Sequence, residues 1–227
     1  ARQKILHSSR KASESCIIME LAPYGNLADI IMEGKWPLTD EKLIRTYFHQ
    51  LIDVLGYLHQ IGVAHLDLKL ENLLIGEDFQ LKLIDFDSAW VEGDEPEFSR
   101  GSRNFRAPEL RARECINPQK ADIYAAGIIL FTLKVGTLPY IEGMPINGVD
   151  FLDLLYNNPD AFWKGHEDLK HNLKFEDSFK SLFLSLTSQN PGKRFSVAQI
   201  KESEWFKGTI YSPEELKEIM SKALQLN

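Results

Sequence analysis

Apolar side chains recur at helical spacing in three parts of the chain. The first set begins after Thr39, the expected helix cap, and consists of Ile44, Tyr47, Phe48, Leu51, Leu55 and Leu58. Residues 128–135 are apolar on nearly every face and stop at Gly136, which predicts a central helix. Residues 179–186 form a third run, and Ser212-Pro213-Glu214-Glu215 predicts a capping box that opens a last helix.

Short apolar runs separated by turn residues predict a small amount of β-structure. Residues 73–75 and 81–84 flank Gly76-Glu77-Asp78, which is the pattern of a hairpin. Cys16-Ile17-Ile18-Met19-Glu20-Leu21 is also strand-like, and Ala22-Pro23-Tyr24-Gly25-Asn26 ends it. The fold class that we expect is therefore α+β and mainly α-helical.

Composition and charge exclude several classes of protein. The 227 residues carry a formal net charge of -7, which argues against nucleic acid or an anionic membrane as the main partner. The two cysteines have no paired spacing, so we expect neither a disulfide framework nor a zinc site. A reducing compartment follows, and we expect the cytoplasm, with the nucleus as an alternative.

The loop that follows the first helix concentrates chemically useful side chains. It contains Asp67, Lys69 and Asn72, and Asp85 comes directly after the predicted hairpin. An Asp can accept a proton, a Lys can place a positive charge near a phosphate, and Asn and Asp oxygens suit Mg²⁺. Taken alone, Asp67 and Asn72 would also fit a polar turn.

Four motifs together resemble the eukaryotic-type, Ser/Thr-specific protein kinases. They are His65-Leu66-Asp67-Leu68-Lys69-Leu70-Glu71-Asn72, Asp85-Phe86-Asp87, the segment from Gly101 to Ala107-Pro108-Glu109, and Asp122-Ile123-Tyr124-Ala125-Ala126-Gly127. Two positions depart from the family pattern, because Leu66 replaces an arginine and Asp87 replaces a glycine. The resemblance implies a protein-kinase-like large lobe with a short β-hairpin and a remnant of the small lobe.

The resemblance also implies a catalytic role for each matching residue. Asp67 would accept the proton of the substrate hydroxyl, and Lys69 would contact the transferred phosphate. Asn72 and Asp85 would bind Mg²⁺, and Ser102 would bridge Asp67 and Lys69. The implied cofactors are ATP and Mg²⁺, and the implied partner is a protein substrate.

The same resemblance implies a nucleotide site. Met19 would be the gatekeeper, the backbone of Glu20 and Ala22 would bind adenine, and Asn26 would face the ribose. Leu74 would form the floor under the adenine, and Glu71 joins this set of nucleotide-site residues. For Met19 and Leu74 the simpler alternative is an ordinary place in the core.

Four residues have structural roles by resemblance or position. Asp122 would anchor the backbone of the catalytic loop, and Arg194 would pair with Glu109 in a structural ion pair. His59, on the predicted helix before the loop, is most simply a surface or packing histidine.

The matching motifs suggest how the chain is divided. We expect residues 1–22 to be a remnant of the small lobe and hinge strand, with residues 1–6 as the end of a helix. Residues 23–207 would be the large lobe, and 208–227 a helical tail. The glycine-rich strands and the phosphate-binding lysine of the small lobe are not found in the sequence.

Two functions follow from this pattern. The first is a Ser/Thr protein kinase, here as a fragment of a longer kinase that is weak or inactive alone, with a partner chain able to supply the small lobe. The alternative is a pseudokinase or scaffold that acts as a protein-binding module, which Leu66 and Asp87 favour.

Overall fold

The structure, a computed structural model, describes residues 16–95, 101–114, 117–170 and 173–225. Within these ranges the helices are α1 (Leu27–Met32), α2 (Glu41–Gln60), α3 (Pro108–Ala112), α4 (Pro118–Val135), α5 (Phe151–Asn157), α6 (Pro159–Leu169), α7 (Asp177–Leu186), α8 (Val197–Glu202) and α9 (Pro213–Ala223). The strands are β1 (Val63–Ala64), β2 (Leu73–Ile75), β3 (Leu81–Leu83) and β4 (Trp90–Val91). The helix end expected at residues 1–6 lies outside the described part.

Helix α4 lies at the centre of the described fold. Most of its side chains are buried, as its apolar sequence predicts, and it packs against both α2 and α7. A Cβ atom at Gly127 would lie 2.8 Å from Cγ2 of Thr187, so a glycine permits the close approach of α4 and the end of α7. Gly136 ends α4 with a φ of 79°, the left-handed cap that its position predicts.

Helix α2 begins one residue later than the sequence suggested. The carboxylate of Asp40 accepts a hydrogen bond from the Leu43 amide at 2.9 Å, so Asp40 is the cap and the prediction of Thr39 is wrong. Both residue types cap helices well, and only the backbone geometry distinguishes neighbouring candidates. From its C-terminal end, α2 leads through Gly62 into β1 and the catalytic loop.

The strands form two small antiparallel pairs. In the predicted hairpin, β2 pairs with β3 so that Leu73 faces Leu83 and Ile75 faces Leu81. Strand β1 pairs with β4 farther along the chain. The strand predicted for residues 16–21 is wrong, because this stretch pairs with no strand in the described residues and Met19 is 67% exposed. A strand needs a neighbour for its backbone groups, which an apolar pattern alone does not provide.

Helix α9 packs onto the N-terminal part of α2. It buries Leu216 and Met220, and its capping box joins Ser212 and Glu215 as predicted. Lys42 on α2 forms an ion pair with Glu215 at 3.1 Å. The sequence left open whether this helix packs on the domain, and these contacts show that it does. Among the described helices, none is long and apolar enough to cross a bilayer.

Candidate active site

The buried carboxylate of Asp122, near the start of α4, holds the catalytic loop. Its two oxygens accept hydrogen bonds from the backbone amides of His65 and Leu66, each at 2.8 Å. Leu66 adopts a left-handed conformation with a φ of 61°, which is unfavourable for a leucine and needs such fixed partners. These bonds agree with the anchoring role expected for Asp122, and they fix the backbone directly before Asp67.

His59 takes part in the same anchor. Its Nε2 atom lies 3.0 Å from Oδ2 of Asp122, and its backbone carbonyl accepts a hydrogen bond from the Gln119 side chain at 2.9 Å. Of the two expected roles, His59 therefore has the packing one, and it also supports Asp122. Since His59 and Asp122 are 63 residues apart, no local pattern connects them.

The Asp67 carboxylate is the centre of the site. Oδ1 accepts hydrogen bonds from the amide of Ser102 at 2.7 Å and from its hydroxyl at 2.9 Å, and Oδ2 accepts one from Lys69 Nζ at 2.8 Å. Burial raises the pKa of Asp67, but the hydrogen bonds from Lys69 and Ser102 outweigh it and hold the pKa below its usual value. The structure thus brings Lys69 and Ser102 to opposite oxygens of an ionised Asp67 carboxylate, so that Ser102 contacts Asp67 and the expected contact with Lys69 is not among its hydrogen bonds within the described residues.

A glycine makes the contact with Ser102 possible. Gly101 has a φ of 90°, and a Cβ atom there would collide with the backbone oxygen of Leu66. The absence of a side chain therefore lets the segment that contains Ser102 approach the catalytic loop closely enough to bind Asp67.

Asn72 and Asp85 are positioned from one hairpin, because Asn72 precedes β2 and Asp85 follows β3. The Ile84 amide donates to the Asn72 carbonyl at 3.0 Å, which holds the two ends together. Asn72 Nδ2 donates to the Asp67 carbonyl at 2.9 Å, so the amide oxygen of Asn72 points the other way. Asp85 is exposed and has a φ of 67°. The ring of Phe86, the next residue, packs against the His65 ring with 4.8 Å between the ring centres.

This donor set fits a magnesium ion that arrives with phosphate. The described residues contain no group of three or more His, Cys, Asp or Glu side chains that could form an all-protein site. Mg²⁺ is commonly bound by one or two protein oxygens together with phosphate oxygens and water. Asn72, which contacts Asp67, and Asp85, whose charge acts on Lys69, offer oxygens of this kind.

Comparison with known proteins assigns the family. A family model described as "Protein kinase domain" matches residues 4–206. The chain belongs to the protein kinase domain family. It is 35% identical over 215 residues to CBL-interacting protein kinase 8 of Oryza sativa subsp. japonica, an alignment that covers 93% of this chain and 44% of that protein. In the described residues, the helix-rich fold with two small sheets is that of a kinase-like large lobe.

Two further relatives support this family assignment. The chain is 34% identical over 194 residues to CBL-interacting serine/threonine-protein kinase 8 of Arabidopsis thaliana, which covers 84% of the chain and 40% of the relative. It is 43% identical over 129 residues to hormonally up-regulated neu tumor-associated kinase of Mus musculus, which covers 55% of the chain and 18% of the relative. The chain therefore spans less than half the length of these kinases.

Two of the residues predicted to contact nucleotide, Asn26 and Leu74, are paired with each other. Asn26 and Leu74 form a β-bridge, and Leu74 is half-buried. The Asn26 side chain caps α1 through Asp29, accepting from its amide at 2.9 Å and donating to its carboxylate at 2.7 Å. Asn26 is therefore held in place from the lobe side by α1.

Most of the described residues before α1 are exposed to solvent. Met19 is largely exposed, so its alternative place in the core is wrong. Glu20 forms an ion pair with Lys82 on β3 at 3.4 Å, and the Ala22 carbonyl accepts a hydrogen bond from Gly25 at 3.4 Å. Glu71 is exposed in the turn before β2.

A buried ion pair joins the motif Ala107-Pro108-Glu109 to the loop after α7. Arg194 is fully buried, and its Nη1 and Nη2 atoms bind the two Glu109 oxygens at 2.6 and 2.7 Å. Nε donates to the Ser188 carbonyl at 2.8 Å, and the guanidinium lies 5.0 Å from the centre of the Tyr124 ring. The expected pairing is confirmed, and because the hydrogen bonds of Arg194 go to Glu109 and to backbone carbonyls, its role in this kinase domain is structural.

Proposed function

We propose that this protein is a Ser/Thr protein kinase that transfers the γ-phosphate of ATP to a hydroxyl of a protein substrate. The observation that carries the proposal is the Asp67 carboxylate, which is kept ionised by Lys69 on one oxygen and by Ser102 on the other. An ionised, oriented carboxylate is the group that phosphoryl transfer needs to receive the hydroxyl proton.

The proposed step forms a bond between the substrate hydroxyl oxygen and the γ-phosphorus. The bond from the γ-phosphorus to the β,γ-bridging oxygen breaks, ADP leaves with that oxygen, and the hydroxyl proton moves to Asp67. Hydrogen bonding to Asp67 raises the pKa of Lys69, so its ammonium stays charged beside the reacting phosphate. Mg²⁺ held by Asn72 and Asp85 would neutralise charge on the phosphate oxygens.

The choice of a Ser/Thr substrate is supported by the contacts of Ser102. By the family pattern, a hydroxyl at this position together with Lys69 accompanies Ser/Thr kinases. Its hydroxyl contacts Oδ1 of Asp67, while Lys69 contacts Oδ2, so both oxygens have defined partners. We also propose that Met19, Glu20, Ala22, Asn26, Glu71 and Leu74 contact the nucleotide, and that a small lobe from this protein or a partner chain covers it.

The experiment measures transfer of labelled phosphate from Mg·ATP to a broad peptide pool by the full-length protein. Asp67→Asn removes the proton acceptor but keeps the shape, so we expect activity to fall to background. Asp53→Asn is the matched control, because Asp53 is an exposed aspartate on α2 that pairs with Lys201. Wild-type protein that binds ATP but transfers no phosphate would contradict the proposal and favour the scaffold alternative.

A further inference from the structure

Three tyrosine hydroxyls form a continuous hydrogen-bonded network, the tyrosine network of Tyr140, Tyr124 and Tyr156. Oη of Tyr124 lies 2.8 Å from Oη of Tyr140 and 2.6 Å from Oη of Tyr156. Arg111 extends the network, because its Nη2 atom donates to Oη of Tyr140 at 3.0 Å. None of these four side chains takes part in the proposed chemical step.

One direction in the network is fixed, namely that of the hydrogen bond from Arg111. The guanidinium of Arg111 can only donate, so Oη of Tyr140 accepts from it, and Oη of Tyr124 lies 3.5 Å from the same Nη2 atom; between two tyrosine hydroxyls either oxygen can be the donor. Burial raises the pKa of Tyr124 and of Tyr140, and it raises the pKa of Tyr156 to about 12. All three hydroxyls therefore keep their hydrogens at neutral pH. Since Tyr124 is fully buried, water cannot replace a bond that it loses.

At its other side, Arg111 holds the backbone next to the catalytic carboxylate. Nε and Nη2 of Arg111 both donate to the carbonyl of Arg106, at 2.9 and 2.7 Å. Arg106 belongs to residues 102–107, the segment whose first residue binds Asp67. A hydroxyl that reacts beside Asp67 must lie against this segment, and the peptide that carries the hydroxyl lies there with it.

A second contact ties the same segment to the loop after α4. The amide of Glu142, two residues after Tyr140, donates to Oδ1 of Asn104 at 3.1 Å. Glu142 also forms an ion pair with the exposed Arg103 at 3.4 Å. Arg111 and Glu142 thus both hold residues 102–107. The tyrosine network links Arg111 in turn to Tyr124 on α4 and Tyr156 on α5.

We propose that Arg111 and the tyrosine network are positioning residues for the protein substrate. They hold residues 102–107 in the conformation that receives the peptide, and Tyr156 makes α5 the outer support of that surface. The proposal depends on the kinase function proposed above. Because the network contacts neither the Asp67 side chain nor the predicted nucleotide residues, its loss should weaken peptide binding and leave phosphate transfer intact.

The test removes single hydroxyls from the full-length protein. We expect Tyr124→Phe and Tyr156→Phe to raise the KM for a peptide substrate about five-fold, the effect of one net hydrogen bond. The kcat and the KM for ATP should stay within about two-fold of wild type, because the network is used for positioning alone. Tyr47→Phe is the matched control, since the buried hydroxyl of Tyr47 donates to the Phe79 carbonyl at 2.9 Å, outside the network. An equal peptide KM in Tyr124→Phe and Tyr47→Phe would overturn the proposal.

Hydrogen exchange supplies a readout that needs no turnover. The amides of Phe105 and Arg106 donate to the carbonyls of Ser102 and Arg103, at 3.0 and 3.4 Å. We expect both amides to exchange faster in Tyr124→Phe than in wild type or Tyr47→Phe. Unchanged exchange would overturn the positioning role, and faster exchange with an unchanged peptide KM would overturn its link to the substrate. If the wild type transfers no phosphate, the kinase proposal fails while exchange still tests the network.

Discussion

Acid should destabilise this protein through one buried histidine, His166 on α6. The residue is 3% exposed, and the centre of its ring lies 4.4 to 4.7 Å from the ring centres of Phe151, Phe131 and Phe162. Burial lowers the pKa of His166 to about 4, partly opposed by the hydrogen bond to the Pro139 carbonyl and reinforced by the charge of Lys170. The folded protein therefore keeps this imidazole neutral over a pH range in which the unfolded chain does not.

The sign and size of the effect follow from the two pKa values. Below about pH 6.5 the unfolded chain binds a proton at His166, whereas the folded protein binds it only near pH 4. Stability is therefore complete above pH 6.5 and is lost as the pH falls towards 4. The full difference is about 3 kcal/mol, and about 2 kcal/mol of it is already lost at pH 5.

The assay compares urea unfolding of wild type and His166→Gln at pH 7.5 and pH 5. Glutamine does not titrate in this range, and its amide can still donate towards the Pro139 carbonyl. We expect the variant to be less stable than wild type at pH 7.5, because it loses the aromatic contacts. Between the two pH values, however, the wild type should lose about 2 kcal/mol more than the variant. Equal losses would refute the reasoning, because they would mean that His166 takes up its proton alike in both states.

Three further predictions concern the catalytic domain. Arg194→Met strands the buried Glu109 carboxylate and should lower the free energy of unfolding by about 3–5 kcal/mol, so an unchanged melting temperature would contradict the structural role of the pair. Gly101→Ala should abolish phosphate transfer in the full-length protein, whereas Gly25→Ala, also at positive φ but with no atom near its Cβ, should only lower the melting temperature; equal activities would count against the close approach. Asp87→Gly should tighten Mg·ATP binding in the full-length protein, because glycine lets the backbone turn without a side chain, and an ATP affinity that stays the same across Mg²⁺ concentrations would argue against this.

Local patterns predicted much of the fold. The sequence predicted the apolar face of α2, the apolar α4, the hairpin of β2 and β3 and the capping box of α9, because each depends on residues close together in the sequence. The strand at residues 16–21 was predicted wrongly, because strand pairing depends on a partner elsewhere in the chain. The cap of α2 was displaced by one residue because Thr39 and Asp40 are both suitable cap residues.

The residues of the candidate site also divide into those that the sequence could predict and those that it could not. Asp67, Lys69 and Asn72 could be named because they share one short loop, and family resemblance added Ser102. The contact of His59 with Asp122 and the tyrosine network could not be predicted, because their hydrogen bonds join side chains 16 to 63 residues apart without a periodic pattern. Signals of this kind become visible only when the packing of α2, α4 and α5 is known.

The contacts of α9 affect where a shortened version of this protein should end. The family match stops at residue 206, yet Arg45 on α2 donates to the Thr209 carbonyl at 2.9 Å, and the Tyr211 amide donates to the Thr46 hydroxyl at 2.9 Å. Cutting at the family boundary would remove these partners and the apolar cover that Leu216 and Met220 provide. A protein trimmed to the family boundary would therefore be expected to aggregate more readily than one that keeps α9, whatever its catalytic residues do.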